Sequence, residues 1–458
     1  MTAGHQLSFP RKVGFTFGDF ACNLYWQSVS IFLLFFYTEY VGLSASVAGL
    51  IYMIATIVDA LCDPIMGSIA DRTRTRWGRY RPYILFGGPP LALSFVFLYF
   101  RPPLAGLWLA IWMLASHIIF RLAYTALSIP YTSLNARLTS SSDERSTIAG
   151  LRMVFAVGAA MAVAFFTMPL AASFGAAKTG LGYMFAAGVF AIVATVIFPI
   201  VVWQTREPPE APDDTRGPGL IAAWKAIAGN RAFWVLIVAS CTAFACSTAL
   251  GKSVLYYFKY SLRDVASARV ALTAMSAVGV AVIPLWVLIT KRIGKRRAWF
   301  AATVWGLALL AVFGLKPINS APLMIAWLMA MNASSLGLSF TFWSLLPDTV
   351  EYGEWRTGVR TESFIFGLGQ LFLKAALGLG AGLFGLLLDM TGYHAGVAQS
   401  AHTLAGLHSI MVLTPFVGFS LAGLAMALFP MRRGTHEDIV AALARDRAAA
   451  FEMTPVDL

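Results

Sequence analysis

Apolar runs of about twenty to thirty residues recur along the whole chain, separated by short polar stretches. A helix that crosses a bilayer needs ~20 predominantly apolar residues. The runs place spans at approximately 13–40, 44–70, 82–100, 106–136, 148–173 and 182–204, then at 232–258, 268–290, 298–315, 321–347, 362–389 and 403–430. Between the two sets lies Gln204-Thr-Arg-Glu-Pro-Pro-Glu-Ala-Pro-Asp-Asp-Thr-Arg-Gly-Pro-Gly219, where Pro, Gly and charge dominate, and it reads as a hydrophilic linker. Leu220 to Arg231 reads as a short helix on the membrane surface. The expected organisation is a six-helix half over 1–204, a linker over 205–231, a second six-helix half over 232–430 and a tail over 431–458. Met1 to Pro10 is polar and lacks a basic n-region, and no small-residue cleavage site follows the first apolar run, so no removable signal peptide is expected.

The two halves echo each other. The connection after span 2 reads Asp71-Arg-Thr-Arg-Thr-Arg-Trp-Gly-Arg-Tyr-Arg81, and the connection after span 8 reads Lys291-Arg-Ile-Gly-Lys-Arg-Arg297. Tyr131-Thr-Ser-Leu134 and Phe342-Trp-Ser-Leu345 each fall near the inner end of a fourth span. Parallel six-helix halves around a central site are the architecture of major-facilitator transporters. The expected fold is therefore an all-α integral membrane protein with about twelve transmembrane helices in two six-helix pseudo-repeats.

Composition strengthens this reading. The chain is 58% hydrophobic and 12% charged, against roughly 25% charged residues in soluble domains, so most side chains never meet water. The net charge of +12 could suggest a nucleic-acid partner, but its distribution points elsewhere. Of the 34 Lys and Arg, 24 lie on the N-terminus, the connections after even-numbered spans and the tail; six lie on the opposite side; Arg121, Arg152, Lys252 and Lys374 fall inside spans. That asymmetry places both termini in the cytoplasm, as expected for a multi-pass protein of a bacterial inner membrane, and accounts for the charge without nucleic acid. The four cysteines, Cys22, Cys62, Cys241 and Cys246, all lie in apolar runs, so no disulfide framework or zinc site is expected. The 34 phenylalanines are expected to be mostly lipid-facing bulk.

An ionisable side chain in mid-helix costs ~2.5–3.5 kcal/mol on insertion scales, so the few that remain mark candidate chemistry. Asp59 and Asp63 in span 2 are four residues apart and share a helix face with Tyr52 and Thr56. Two carboxylates one turn apart in low dielectric repel, so one is protonated or a cation bridges them, which is how an Na⁺ or H⁺ site is built. The alternative is that each pairs with a buried Arg or caps a helix broken at Pro64. In span 1, Asp19 and Asn23 share a face and precede Tyr25, Trp26 and Gln27. Carboxylate, amide and aromatic groups together suit a sugar, although Asp19 could instead pair with Arg11 or Lys12 near the headgroups. In span 4, Tyr124, Ser128 and Thr132 (or Tyr131) form a polar stripe, and Thr125 could offer an oxygen to the cation. Ser and Thr bonding back to helix carbonyls near Pro130 is the competing reading. Arg152 in span 5 could clamp a sugar hydroxyl, pair with an Asp of span 1 or 2, or snorkel. Lys374 in span 11 lies twelve residues past Glu362, ~18 Å into the membrane; it is expected to face the acids of span 2, with Gln370 one turn before it. Lys252 in span 7 is a further intramembrane cation, read as nearer the outer rim and given no role. The acids of Pro347 to Arg356 and the arginines of 72–81 read as a charged inner gate.

These residues carry a resemblance. Phe17-Gly-Asp-Phe20, Phe36-Tyr-Thr-Glu-Tyr-Val-Gly-Leu43, Asp59-Ala-Leu-Cys-Asp-Pro-Ile-Met-Gly67, Arg74-Thr-Arg-Trp-Gly-Arg79 and Leu346-Pro-Asp-Thr-Val-Glu-Tyr-Gly-Glu354 resemble the glycoside–pentoside–hexuronide:cation symporters, the melibiose-permease type of major-facilitator protein. The similarity runs from span 1 to span 11. It implies cation-site acids at Asp59 and Asp63, a Thr ligand at Thr125, and site roles for Lys374, Arg152 and the sugar-contacting Tyr124. The family's span-1 sugar-binding Asp aligns with Asn23, its span-4 Asp with Ser128, and its nearby sugar-stacking Trp with Thr132, so the sugar site is rebuilt here.

The expected function is secondary active transport by alternating access, coupling Na⁺ or H⁺ to a sugar or glycoside, with Asp59, Asp63 and Thr125 for the cation and Asp19, Asn23, Tyr124, Ser128, Thr132, Arg152, Gln370 and Lys374 for the sugar. No cofactor beyond the coupling ion is expected. The partners expected are the sugar, the cation and the lipid bilayer, with the chain working as a monomer. One alternative is a lipid, lysolipid or other organic-solute transporter of the same superfamily, which would need an apolar side cavity beside the acids. Another is a membrane enzyme or receptor, but GxSxG, HExxH and P-loop motifs and a large soluble domain are absent from the sequence.

Overall fold

The computed structural model describes residues 8–138, 142–174, 180–205, 207, 220–431 and 434–452. Residues 206 and 208–219 of the expected linker, together with Lys178, Arg432, Arg433 and the last six residues, lie outside the described residues. Six long helices form the first half: α1 (Phe9–Phe36), α2 (Ala45–Arg72), α3 (Arg81–Leu98), α4 (Gly106–Leu138), α5 (Ser142–Ser173) and α6 (Leu181–Gln204). A short helix, α7 (Leu220–Ala228), precedes α8 (Arg231–Tyr256), α9 (Val265–Ile293), α10 (Lys295–Leu315), α11 (Ala321–Thr357), α12 (Glu362–Met390) and α13 (Ala401–Ala427). Twelve of these helices are long and apolar enough to cross a membrane.

Local chemistry sets the helix ends. The side chains of Ser44, Asn230, Asp264 and Ser400 accept hydrogen bonds from backbone N–H groups in the first turns of α2, α8, α9 and α13, which would otherwise lack partners. α11 runs ten residues beyond the expected span end at 347, through Pro347 and the acid-rich stretch, and stops at Gly358, whose φ of +69° suits glycine. Glu, Arg and Tyr sustain a helix once apolar packing has nucleated it, so hydropathy alone ends the span too early.

Packing repeats between the halves. In the first, α1 packs on α5 and α6, α3 on α4 and α6, and α2 on α4; in the second, α8 packs on α12 and α13, α10 on α11 and α13, and α9 on α11. The two halves meet chiefly through α2 against α12 and α5 against α9, pairs that exchange when one half is mapped onto the other. Large rings fill the helix–helix space: Phe15, Phe32, Phe36, Phe95, Phe120 and Phe313 are buried, whereas Phe9, Phe97 and Phe166 are exposed. The expectation that phenylalanines mainly face lipid is thereby corrected. Lipid is as apolar as the bundle interior, so hydrophobicity does not sort a ring outward, and shape does.

At the end of the bundle remote from the termini the two halves are bridged. Both α1 and α8 finish in a five-residue π-helical turn, Tyr37–Val41 and Tyr257–Ser261, which re-aims the side chains of the last turn. These turns bring Glu39 and Lys259, at matching positions of the two halves, to 2.5 Å. Tyr260 and Tyr393 also donate to the Glu39 carboxylate, at 2.6 and 2.5 Å, and Thr38 meets the Tyr256 hydroxyl at 2.7 Å. Beneath this lock α2 and α12 touch backbone to backbone: a Cβ placed on Gly385 would lie 2.3 Å from the Ala45 carbonyl oxygen and 2.9 Å from the Gly49 Cα. Gly385→Val is therefore expected to prop the far end open. Overpacking costs ~1–3 kcal/mol, enough to shift a two-state carrier, and impermeant thiol labelling of a cysteine placed at Thr38 should rise. Unchanged labelling would contradict the bridging described.

At the terminal end, Asp348, Glu351 and Glu354 of the acid-rich stretch meet Lys295, His436 and Arg360. Asp348 pairs with Lys295 of its own half at 2.7 Å. His436, at the start of a further helix α14 (Thr435–Glu452), reaches Glu351 and lies 3.6 Å from Asp348. The tail is thus docked onto α11 rather than trailing away. Glu207 accepts from the backbone N–H groups of Arg79, Tyr80 and Arg81, fastening the basic turn after α2 to the end of the first half.

Candidate functional site

Asp59 and Asp63 project from one face of α2 toward α4 and α12. The Thr125 hydroxyl of α4 lies 2.7 Å from Asp59 Oδ1 and 3.0 Å from Asp63 Oδ1. Lys374 of α12 takes the other oxygens, at 3.0 Å from Asp59 Oδ2 and in contact with Asp63 Oδ2. One ammonium therefore bridges two carboxylates across the interface between the halves. Asp59 is fully buried, while the Asp63 and Lys374 side chains keep 17% exposure. The donor set is two carboxylates and a hydroxyl, hard oxygens of the kind a small cation selects, and Lys374 holds the position where such a cation would neutralise the acids.

A second layer lies toward the far end. Arg121 of α4 is 1% exposed, with Nη1 3.6 Å from Asp59 Oδ2, Nη2 donating to Thr56 Oγ1 at 3.2 Å and Nε donating to His117 Nε2 at 3.2 Å. Because Arg121 donates there, His117 is neutral with its proton on Nδ1. The guanidinium lies 5.1 Å from the Trp26 ring centre, and the Lys374 ammonium 5.9 Å. Above these groups a cavity of about 290 Å³ separates the halves, lined by Trp26, Gln27, Tyr52 and Arg121 on one side and by Lys252, Ser276 and Asn332 on the other. Small-molecule sites run ~300–1,000 Å³, which sets this one at a sugar-sized lower end.

The residues singled out in the sequence divide three ways. Asp59, Asp63, Thr125 and Lys374 meet, and the Tyr124 ring stands beside Trp26 at 5.8 Å. Asp19, Asn23 and Arg152 form a separate cluster within the first half. There the Asp19 carboxylate accepts from Arg152 Nε at 2.9 Å and from the Tyr131 hydroxyl at 2.6 Å, and Asn23 donates to the Asp19 carbonyl at 2.8 Å. Of the partners considered for Asp19 and Arg152, the structure selects each other. Ser128 is half-buried, Thr132 is exposed and bonds back to the Ser128 carbonyl at 2.9 Å, and Gln370 is exposed; no described hydrogen bond joins these three to either cluster. Arg121 and Lys252 stood out in the sequence only as intramembrane charges without a role, and His117 did not stand out at all. For Arg121 and His117 the signal was present: His117, Arg121 and Thr125 recur every four residues on one face of α4. Lys252, read as nearer the rim, lines the cavity, because α8 extends past it to the π-helical turn.

A bundle of two matching six-helix halves, with charged groups and a cavity at their interface, defines a membrane transporter rather than an enzyme. Residues 14–433 match the family MFS/sugar transport protein, and the chain belongs to that family, in its glycoside–pentoside–hexuronide symporter branch. It is 31% identical over 425 residues to the uncharacterized symporter YnaJ of Bacillus subtilis (strain 168), covering 92% of this chain and 91% of that one. It is 30% identical over 431 residues to the isoprimeverose transporter of Lactiplantibacillus pentosus, covering 93% and 89%, and 28% identical over 447 residues to the glucuronide carrier protein homolog of Escherichia coli (strain K12), covering 95% of each. Among solved structures, the fold is similar to a bacterial homolog of the human lysosomal transporter Spinster in an inward-facing, unoccupied conformation, with TM-score 0.68 at 14% identity, covering 92% of this chain and 97% of that one. The nucleoside transporter NupG matches with TM-score 0.66 at 14% identity, covering 92% and 100%.

Proposed function

We propose that the protein is a cation-coupled sugar symporter working by alternating access, with both termini in the cytoplasm of a bacterial inner membrane. The observation that carries this reading is the bridge of Lys374 over Asp59 and Asp63 beside the interfacial cavity. In the empty carrier the ammonium neutralises the two acids, and a coupling cation held by Asp59, Asp63 and Thr125 displaces it. The freed ammonium and the reordered α12 then complete the cavity for sugar. A bare pair of carboxylates is costly to occlude in a membrane, so the carrier crosses either empty with Lys374 in place or loaded with both solutes. Amide and hydroxyl groups with an indole face suit a sugar, and they favour it over the lipid alternative, which calls for apolar walls beside the acids. The basic residues concentrated at the terminal end support the orientation.

The test is uptake of labelled glycosides, pentosides and uronides into proteoliposomes under an imposed Na⁺ gradient or an imposed pH gradient. Accumulation above equilibrium under one of them is expected and identifies the cation. Folded protein that accumulates no sugar under either gradient would overturn the proposal.

A further inference from the structure

The two halves carry matching basic turns that differ in one respect. In the first half Arg81 opens α3, and its Nη2 donates to the Val202 carbonyl near the end of α6 at 2.9 Å. In the second half Arg296 stands in the first turn of α10, and its Nη2 donates to the Ala427 carbonyl at the end of α13 at 2.7 Å. The two arginines hold the same place in the repeat. The first N–H groups of a helix have no partner within it and attract an anion. At α3 that anion is built in: Glu207, just beyond α6, accepts from the N–H groups of Arg79, Tyr80 and Arg81 at 2.6, 2.8 and 2.9 Å. No such anion serves α10, which starts from Gly294 without a side-chain cap. The segment beyond α13 reads Pro430-Met-Arg-Arg-Gly434, with no acid.

The α10 turn opens instead onto a cavity of about 790 Å³, bounded by α9, α11, the end of α13 and α14. Lys291, Lys295, Arg296 and Arg297 line it, against the acids Asp348 and Glu437. Asp348 is already taken by Lys295 at 2.7 Å. Among the described residues, Lys291, Arg296 and Arg297 have no carboxylate partner. The Thr290 hydroxyl, on the same lining, is buried without a hydrogen-bond partner. Cations gathered around the positive end of a helix repel one another unless an anion joins them. The arginine fork matches phosphate oxygens two at a time. The cavity is far larger than a bare phosphate, and Phe340, Leu345 and Phe429 give it an apolar part.

We infer that this cavity binds a phosphate ester, with the phosphoryl oxygens on the first-turn N–H groups of α10 and on Lys291, Arg296 and Arg297, and the organic part against Phe340, Leu345 and Phe429. The bound group does for the second half what Glu207 does for the first: it fastens the basic turn to the end of its own half. A soluble ester and the phosphodiester of an anionic phospholipid present the same chemistry, and basic pockets between helix ends at a membrane surface suit both. The site uses none of the residues at the interface between the halves, so it stands apart from the symport reading.

The experiment follows thermal unfolding of the full chain. In neutral detergent it is titrated with inorganic phosphate and with glycerol 3-phosphate, against chloride and acetate at matched ionic strength. In nanodiscs, phosphatidylcholine alone is compared with phosphatidylcholine containing phosphatidylglycerol. A saturable rise in Tm is expected with the phosphate probes, the phosphatidylglycerol, or both, and none with chloride or acetate. A response to the soluble probes assigns a soluble ester; a response to phosphatidylglycerol alone assigns the lipid. The double variant Lys291→Gln/Arg297→Gln removes two exposed charges and should weaken the apparent Kd by about tenfold, as expected for loss of a charge-assisted contact. Arg76→Gln, in the turn whose cradle Glu207 fills, should leave it unchanged. A wild-type chain that answers phosphate no more than chloride, and phosphatidylglycerol no more than phosphatidylcholine, overturns the inference. So does a response that survives the double variant in full or falls equally with Arg76→Gln. The wild-type comparison needs no variant, so a misfolded double variant would not shield the inference, and neither readout depends on transport.

Discussion

Asp59→Asn is expected to reduce gradient-driven uptake by about 10²-fold or more, in line with the ~3–5 kcal/mol lost when one partner of a buried ion pair is removed. Asp59 is fully buried and answers two cations, Lys374 at 3.0 Å and Arg121 at 3.6 Å. Asparagine preserves its shape and its hydrogen bond from Thr125, but leaves a guanidinium and part of an ammonium uncompensated in low dielectric. Binding of the coupling cation also loses half of its carboxylate charge. Asp63→Asn should be milder, because the Asp63 side chain keeps 17% exposure and water can share the charge left on Lys374. Initial uptake rates of both variants, normalised to folded protein, decide the matter; an Asp59→Asn carrier that retains a tenth of wild-type uptake would exclude the assigned cation site.

Lys374→Met should separate two modes of transport. Methionine fills the space of the lysine stem without its charge, so the empty carrier would have to return with two adjacent carboxylates and no cation between them. Net accumulation should fall by about 10²-fold, because an unneutralised acid mid-membrane costs ~2.5–3.5 kcal/mol. Exchange of labelled for unlabelled sugar across the membrane, in which the carrier is loaded in both directions, never needs that empty step and should persist. The double variant Lys374→Met/Asp63→Asn removes one of the stranded charges and should recover part of the accumulation. Exchange and accumulation lost in equal measure would show instead that Lys374 acts on the loaded carrier.

The acid pair was legible because its information is local. Four-residue spacing puts Asp59 and Asp63 on one face of any helix that contains them, and hydropathy puts that helix in the membrane. The depth of Lys374 within its span followed from counting residues. The grouping of the other polar residues was less legible because it depends on rotation and tilt between helices. Asp19 and Arg152 are close enough to satisfy each other, and that pairing takes both away from the cavity, which a reading of single helices does not foresee. Arg121 and Lys252 were visible as rare intramembrane charges, yet their shared approach to the Tyr52 ring appears only in the folded bundle.

Amino-acid order alone was enough for twelve helices, their two sets of six, the basic bias toward one end and the acid pair, since each depends on period, length or composition within a single segment. Which cation sits on which acid, which end of the bundle is bridged and which side chains border the cavity were settled only in the folded bundle. Inside a membrane every helix offers lipid and neighbours alike an apolar surface, so hydrophobicity cannot choose partners. That choice falls to close backbone contacts such as Gly49 against Gly385, and to the few charges that must find one another once water is gone.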